Sequence, residues 1–427
     1  MLVIFLASIT APFCVLTFLI IQEMNIKNIL NVVLLFVLSL GMAGCSDSDG
    51  DGGGKTDAPV AAMMPQRSNP MGVYAHYMPW FETDKTNLDA GKWGWHWTMN
   101  ASLNPAVGEI ASHYHPLTGA YASGDATVLD YQCLLMKYSG LEGVMVDWYG
   151  YNADNTTARH TSNTEALFKA IKKAGLKMAI VYEDNTLNVA SDPVGQARAD
   201  MKYLATHFFG SDSYAKIDGK PLLLVFGPQG LNSPKEWYRT FQVLSVKPAL
   251  VVLNGHASKA NGGGYENAVG EFLWVNAAPD AWYVNAKQQF QTVIGGAMPG
   301  FKDYYKLGGA GEGYTSYDDE DGALFDRQLA AAKNAGLQWL QVSTWNDYGE
   351  GTIIEPTLEF GYRYLTKLQG FTGVTYGETE LKTIYRWYQL KVKFAADASK
   401  TKVLEQCYGY LNALQPDKAA ELMNGIE

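Results

Sequence analysis

Cysteine is scarce in this chain of 427 residues: only Cys14, Cys45, Cys133 and Cys407 occur. Cys14 lies in an apolar leader. Cys133 falls in a helical pattern with Leu129, Leu134 and Met136, and Cys407 in another, so both read as small buried apolar residues. A bond between those two stays open, but nothing supports a disulfide framework. Positive charge is also thin. Lys and Arg total 33 against 43 Asp and Glu, a formal net charge of −10, and no basic patch stands out. Nucleic acid is therefore not an expected partner. There is no Gly-x-Ser-x-Gly elbow, so serine hydrolase chemistry has no support. No Gly-rich phosphate loop follows the first strand-like run. No His-Glu-x-x-His occurs, and His113-Tyr114-His115 has no third ligand nearby, so no metal site and no cofactor are expected.

What is present is apolar and aromatic. Hydrophobic residues make up 47% and aromatics 13%, with 11 Trp and 26 Tyr. That composition builds a large core, and it also suits a cleft that binds carbohydrate.

Residues 1–44 hold two apolar runs separated by Met24-Asn25-Ile26-Lys27-Asn28. The second run ends Gly41-Met42-Ala43-Gly44-Cys45, a signal-peptide pattern with small residues before Cys45. This resembles a bacterial lipobox, in which the Cys becomes lipidated and N-terminal, with Met24 as the biological start. A two-span membrane hairpin is the alternative. The following Ser46–Gly54 stretch is acidic and Gly-rich, a flexible composition, and it resembles the surface-export signal of Bacteroidetes lipoproteins. Asp47, Asp49, Asp51 and Gly52 imitate the start of an EF-hand loop, but its twelfth position is Ala58 instead of Glu. The expected organisation is a leader over residues 1–44, a flexible acidic linker over 45–70 and one domain over 71–427. The expected location is the cell envelope, on the outer membrane and facing its surface, with the membrane reached through a lipid on Cys45.

From residue 71, β-rich runs alternate with helical patterns. Eight candidate strands are Gly72–Met78, Gly143–Tyr149, Met178–Glu183, Leu222–Phe226, Leu250–Asn254, Phe272–Asn276, Val293–Ala297 and Trp339–Trp345. Most are continuously apolar, as parallel strands covered on both faces are. Helical patterns lie between them, at Asp125–Ser139, Thr164–Ala174, Val194–Phe208, Pro234–Leu244 and Leu324–Ala335. Gly175 and Gly336 stop two of these. Eight such units predict an α/β fold of the (β/α)8 TIM barrel type, with Tyr362–Leu368 closing it and one or two further helices packing after it. A doubly wound sheet is second. The first loop, Phe81–Gly124, is long enough to expect a function.

In a barrel the site gathers at the C-terminal ends of the strands. Strand one ends His76-Tyr77-Met78-Pro79-Trp80, strand two Asp147-Trp148-Tyr149-Gly150, strand three Glu183-Asp184, strand five Asn254-Gly255-His256. Strand eight runs through Trp345-Asn346-Asp347 to Glu350. Acids, indoles and imidazoles thus fall on one predicted face. A pair of carboxyl groups is what glycoside hydrolysis requires: one protonates the leaving oxygen and the other serves as base or nucleophile. Indoles offer an apolar face to a pyranose. Each satellite has a structural reading too. Asp147 and Asp184 are also good loop caps, Trp148 a good core residue, and His76 a good buried histidine.

These residues resemble two known families. Thr344-Trp345-Asn346-Asp347-Tyr348-Gly349-Glu350 resembles the motif of glycoside hydrolase family 71, which acts on α-1,3-glucan. The continuation through Gly351-Thr352-Ile353-Ile354-Glu355-Pro356 is more similar to family 99, the endo-α-mannosidases. Tyr77-Met78-Pro79-Trp80, His115-Pro116 with Gly119–Ser123, and Leu141–Gly150 resemble further family 99 blocks. The likeness spans about residues 71–360 and implies a (β/α)8 glycoside hydrolase. It assigns Glu350 as general acid/base and Asp347 as the second acid. That second acid acts on the sugar 2-hydroxyl with retention if family 99 is followed, or on water with inversion if family 71 is. It further implies Glu183 as a sugar contact and Trp148 as a platform for a neighbouring sugar, with Trp345 and Asn346 belonging to the motif. Substrate contacts are accordingly expected from His76, Tyr77, Trp80, Asp147, Trp148, Glu183, Asn254, Trp345 and Asn346. The expected activity is endo cleavage of an α-mannan or α-1,3-glucan type polysaccharide. The alternative is a glycan-binding lipoprotein without catalysis.

Overall fold

The structure, a computed structural model, describes residues 61–151 and 154–427. The leader, Cys45 and the acidic Ser46–Gly54 stretch lie outside the described residues. Eight parallel strands close on themselves: β1 (Gly72–Tyr77), β2 (Gly143–Trp148), β3 (Lys177–Tyr182), β4 (Lys220–Val225), β5 (Ala249–Leu253), β6 (Ala268–Phe272), β7 (Thr292–Ala297) and β8 (Trp339–Val342). β8 pairs back onto β1 with Trp339 opposite Gly72 and Val342 opposite Ala75, which makes the sheet a barrel. Helices α1 (Ala126–Tyr138), α2 (Asn155–Ala174), α3 (Pro193–Leu204), α4 (Pro234–Phe241), α5 (Asp280–Gln289), α6 (Ala323–Asn334) and α7 (Arg363–Thr372) return the chain between strands or follow the last one. Between β5 and β6 the return holds only a one-turn helix, Ala257–Ala260, and a two-residue hairpin ladder.

Alternation along each strand sorts the side chains. Tyr74, Met145, Val181, Leu224, Val251, Phe272 and Ile294 fill the barrel interior. Val73, Ala75, Val144, Val146, Ile180 and Tyr182 face outward into the layer beneath the helices. Side-chain caps set several helix starts, those of α1 and α2 among them. Asp125 accepts the amides of Thr127 and Val128 at the head of α1. Asp154 and Thr157 form a reciprocal capping box at the head of α2. The α2 box explains why this helix begins well before the expected Thr164: its first turns carry Thr, Asn, His and Ser, which are weak helix formers without such a cap.

Two strand boundaries differ from expectation. β6 lies four residues earlier than Phe272–Asn276. Gly270 and Glu271 interrupt its apolar run, but both are needed there: a Cβ on residue 270 would stand 1.7 Å from the Thr292 carbonyl oxygen. Glu271 is buried and accepts the amides of Gly255 (2.9 Å) and Ala257 (3.0 Å), fastening the loop after β5. β8 stops at Val342, before Trp345.

Three helices follow α7 instead of one or two: α8 (Glu378–Lys393), α9 (Ala398–Asn412) and α10 (Pro416–Asn424). α8 packs on α1 through Tyr131 and Tyr388, ring centroids 4.9 Å apart. Tyr138 donates to Leu411 O at 3.0 Å and the buried Lys137 ammonium to Asn412 O at 2.8 Å, tying α1 to the end of α9. Residues 61–70, assigned above to the linker, lie along this same layer. The Asn69 amide donates to Thr372 O (3.1 Å), and Arg67 pairs with Glu142 (3.2 Å). No described helix is long and apolar enough to cross a membrane.

Candidate active site

After Val342 the chain folds into a closed turn. The Thr344 amide donates to Thr352 O (2.5 Å), the Ile354 amide to Thr344 O (3.1 Å) and the Glu355 amide to Trp345 O (3.0 Å). This short ladder projects residues 346–351 over the C-terminal mouth of the barrel. The Thr344 hydroxyl accepts the Asp347 amide at 2.7 Å and donates to Thr352 O at 2.9 Å. Gly351 takes φ +70°, and a Cβ there would meet Lys302 O at 2.5 Å. Only glycine suits that corner.

Asp347 and Glu350 stand on this turn in contrasting surroundings. Asp347 is buried, and its Oδ1 accepts the Glu350 amide at 3.0 Å. Burial raises its pKa to about 6, against the pull of the Glu350 and Gly349 amides. Glu350 is half-buried and has no amide donor. Burial and then the charge of Asp347 push it to about 8, with the Tyr305 hydroxyl at 3.2 Å pulling the other way. A carboxylate held by backbone amides keeps its charge more readily than one facing a like charge. Asp347 is therefore the readier of the two to ionise, and Glu350 the readier to keep its proton.

Below them sit two more acids. Asp147 and Glu183 face each other at the top of the barrel interior. Burial first raises both, Asp147 to about 7, and for Glu183 the charge of Asp147 is the second cause. Neither Asp147 oxygen has a partner at regular hydrogen-bond geometry, although Tyr149 and Glu183 stand beside it. His76 completes this layer. It is buried, kept neutral by burial with a pKa of about 3, and meets Trp274 edge-on at 4.7 Å. Trp80 lies half-buried at the mouth, stacked flat on His96 at 4.0 Å, with its indole N–H buried and unpaired among the described residues. Asn254 is half-buried in the loop after β5.

Four expected substrate contacts are placed elsewhere. Tyr77 and Trp148 are fully buried on the outer face of the wall, because His76 and Asp147 point inward and neighbours on a strand point opposite ways. Trp148 donates to Thr161 of α2 at 3.0 Å and packs beside Tyr203. It is core, so it offers no platform to a sugar. Trp345 is fully buried, its backbone bonded to His76 O at 2.6 Å. Asn346 is equally buried, bridging to both the amide and the carbonyl of Met78. These residues instead brace the turn. Asn346 also reaches the Tyr121 hydroxyl, which with Tyr348 and Gln132 donates to Glu355 at 2.9, 2.8 and 2.6 Å. Tyr77 in turn holds Gln132 at 2.7 Å. Asp184 caps the loop after β4, accepting from Gln229, Gly230 and Leu231 at 2.8–3.0 Å. His113 and His115 bond separately, to Asp303 O and Glu359. Among the described residues no group of three or more His, Cys, Asp or Glu is arranged to hold a metal ion.

The wall of the cleft comes from residues not singled out above. A cavity of about 460 Å³ beside Glu350 is lined by Phe226, Trp274, Phe301, Tyr314 and Tyr317. Three of these, with Tyr305, belong to the loop after β7. That loop is clasped to the acid-bearing turn by Lys302 N donating to Glu350 O and Tyr304 N to Gly349 O, both 2.9 Å. The signal was available: Phe301, Tyr304, Tyr305, Tyr314 and Tyr317 crowd the segment directly after strand seven.

This barrel has solved counterparts. The chain shares the fold of GH99 endo-alpha-mannosidase. One such structure, from Bacteroides thetaiotaomicron, superposes with a TM-score of 0.57 at 18% identity, over 74% of this chain and 98% of that one. The same enzyme in complex with BIS-TRIS-propane gives 0.55 at 18% identity, over 70% and 97%. A protein described as glycoside hydrolase-like gives 0.52 at 15% identity, over 74% and 97%. No protein-family model matches the chain, and no curated protein matches it.

Proposed function

We propose that this protein is a glycoside hydrolase that cleaves an α-linked polysaccharide internally, with Glu350 as general acid and Asp347 as base. One observation carries the reading. Two carboxyl groups on one turn have environments that separate their protonation states, which is how acid and base roles are divided at neutral pH. Glu350, protonated and half-open to the aromatic cavity, is placed to give its proton to a glycosidic oxygen. Asp347, ionised and fixed by amides, is placed to take a proton from water or from a sugar 2-hydroxyl. Asp147 and Glu183 beneath them suit the hydroxyls of the bound ring. The shared fold with GH99 endo-alpha-mannosidase makes α-mannan the first substrate to try and α-1,3-glucan the second. The same proposal includes a lipid on Cys45 that anchors the enzyme at the outer membrane, supported by the Gly41–Cys45 run.

The test is product release from a panel of α-mannans and α-1,3-glucan, analysed by oligosaccharide size. Release of oligosaccharides that stops in Glu350→Gln supports the reading. Binding without release points to the glycan-binding alternative, and release undiminished in Glu350→Gln removes Glu350 from the role. For the anchor, radiolabelled palmitate should enter wild type and be absent from Cys45→Ala.

A further inference from the structure

The cavity beside Glu350 has a neighbour. A second one, also about 460 Å³, opens on the other side of the segment carrying Phe301 and Tyr317. Those two residues line both cavities. Their backbones exchange hydrogen bonds of 2.9 and 2.8 Å, which holds the partition as a local ladder. The second cavity is walled by Tyr114 and Phe360, ring centroids 4.6 Å apart, and Tyr364 meets Phe360 edge-on at 5.2 Å. Lys302, Ser316 and Asp318 stand exposed at its mouth. Asp319 is already engaged by Arg363 (3.1 Å) and Tyr364 (2.8 Å). Gly351 links the second cavity to the acid-bearing turn. It lines the second cavity, it follows Glu350 directly, and the Tyr114 ring lies 3.0 Å from where its Cβ would stand.

We propose that this second cavity is a remote sugar-binding subsite of the same cleft, taking neutral pyranose units of the glycan chain whose scissile bond lies at Glu350. The inference rests on the glycoside hydrolase reading. Flat rings flanked by hydroxyl, ammonium and carboxylate groups match a pyranose, which has apolar C–H faces and a polar rim. Both volumes fall within the roughly 300–1,000 Å³ usual for small-molecule sites. The partition is a ladder of two short backbone segments with their side chains, so a polymer crossing it touches both cavities at once. Contact extended over several sugars of a chain favours attack within it over trimming of its ends.

The experiment compares full-length wild type, Phe360→Ala and Phe360→Leu on oligosaccharides of increasing length from whichever polymer is cleaved. Affinity is measured in parallel by calorimetry in the Glu350→Gln background. Phe360→Ala should lose about tenfold in kcat/KM on long oligosaccharides, an aromatic contact's worth, through KM and with kcat little changed. The shortest cleaved substrate should be unaffected. Phe360→Leu keeps the apolar fill without the flat ring and should show most of the same loss. Equal effects on all lengths, or none, overturn the subsite while leaving the hydrolase reading intact. Length-dependent binding that Phe360→Ala abolishes, with no cleavage by wild type, keeps the subsite and sinks the hydrolase reading. Neither binding nor cleavage of any length overturns both.

Discussion

His76 and Tyr77 are neighbours in the chain, and so are Asp147 and Trp148, yet the barrel wall divides each pair. The inner members carry polar groups into a space where burial holds His76 neutral and raises Asp147. The outer members are fully buried among helix side chains with their polar atoms satisfied, Tyr77 by Gln132 and Trp148 by Thr161. The inner face tolerates unsatisfied acids and the outer face does not. An inner acid opens toward a site where a ligand can complete it, whereas an outer residue has only packing to contribute. The same contrast recurs on the turn after β8. Glu350 looks into the cleft with one phenol for company, while Glu355 five residues later is sealed with three donors.

The largest effect that would break this contrast is on catalysis. Glu350→Gln should lower kcat about a thousandfold or more, the range of a general acid, with no fall in thermal midpoint, since a neutral amide replaces a buried acid. An accompanying collapse in stability would place Glu350 with Glu355 instead. Trp148→Ala should do the reverse at the level of folding, costing about 3–5 kcal/mol by denaturant titration, because the indole fills core beneath α2. If it folds normally and loses only glycan affinity, Trp148 faces sugar after all.

Acidity sharpens the comparison. Asp147 has a folded pKa raised to about 7, above its unfolded value. Its neutral form favours folding, so its contribution is full below pH 4 and is lost as the pH rises through 7. Asp147→Asn should therefore gain stability over wild type between pH 5 and pH 9, on the order of a few kcal/mol. A flat difference across that range refutes the shift. In kinetics, kcat/KM should rise with the ionisation of Asp347 near pH 6 and fall with that of Glu350 near pH 8. The smallest expected effect is that of Tyr305→Phe. The phenol stabilises the ionised form of Glu350, so its removal should move the falling limb to higher pH by a fraction of a unit, with only a few-fold loss of rate. A downward movement contradicts the contact.

Much of this was legible in the residues. The eight strands followed from apolar runs between helical stretches, and the acid-bearing turn from Asp347, Gly349 and Glu350 after the last run. Alternation within a strand carries further information: once Asp147 points inward, Trp148 cannot. Trp345 and Asn346 misled for another reason. They follow a strand that ends at Val342, so strand parity no longer applies, and their burial depends on Met78, Tyr121 and His76, which lie more than 200 residues away in the chain. The β7 loop carries aromatics but no strand-end acid, so its sequence does not announce a site. Its Tyr305 hydroxyl reaches Glu350 because backbone bonds from Lys302 and Tyr304 clasp the loop to the turn, and no local pattern announces those bonds.

By itself, then, the sequence determined the barrel, the end of it where the strand-end acids gather, and the two acids on the last turn. These depend on periodicity and on short spacing, which act within a few residues. Tertiary structure alone decided which aromatics reach the cleft, which acids lose their donors to burial, and that Asp347 ionises more readily than Glu350. Those outcomes depend on desolvation and on partners brought from other strands, and neither is encoded near the residue it affects.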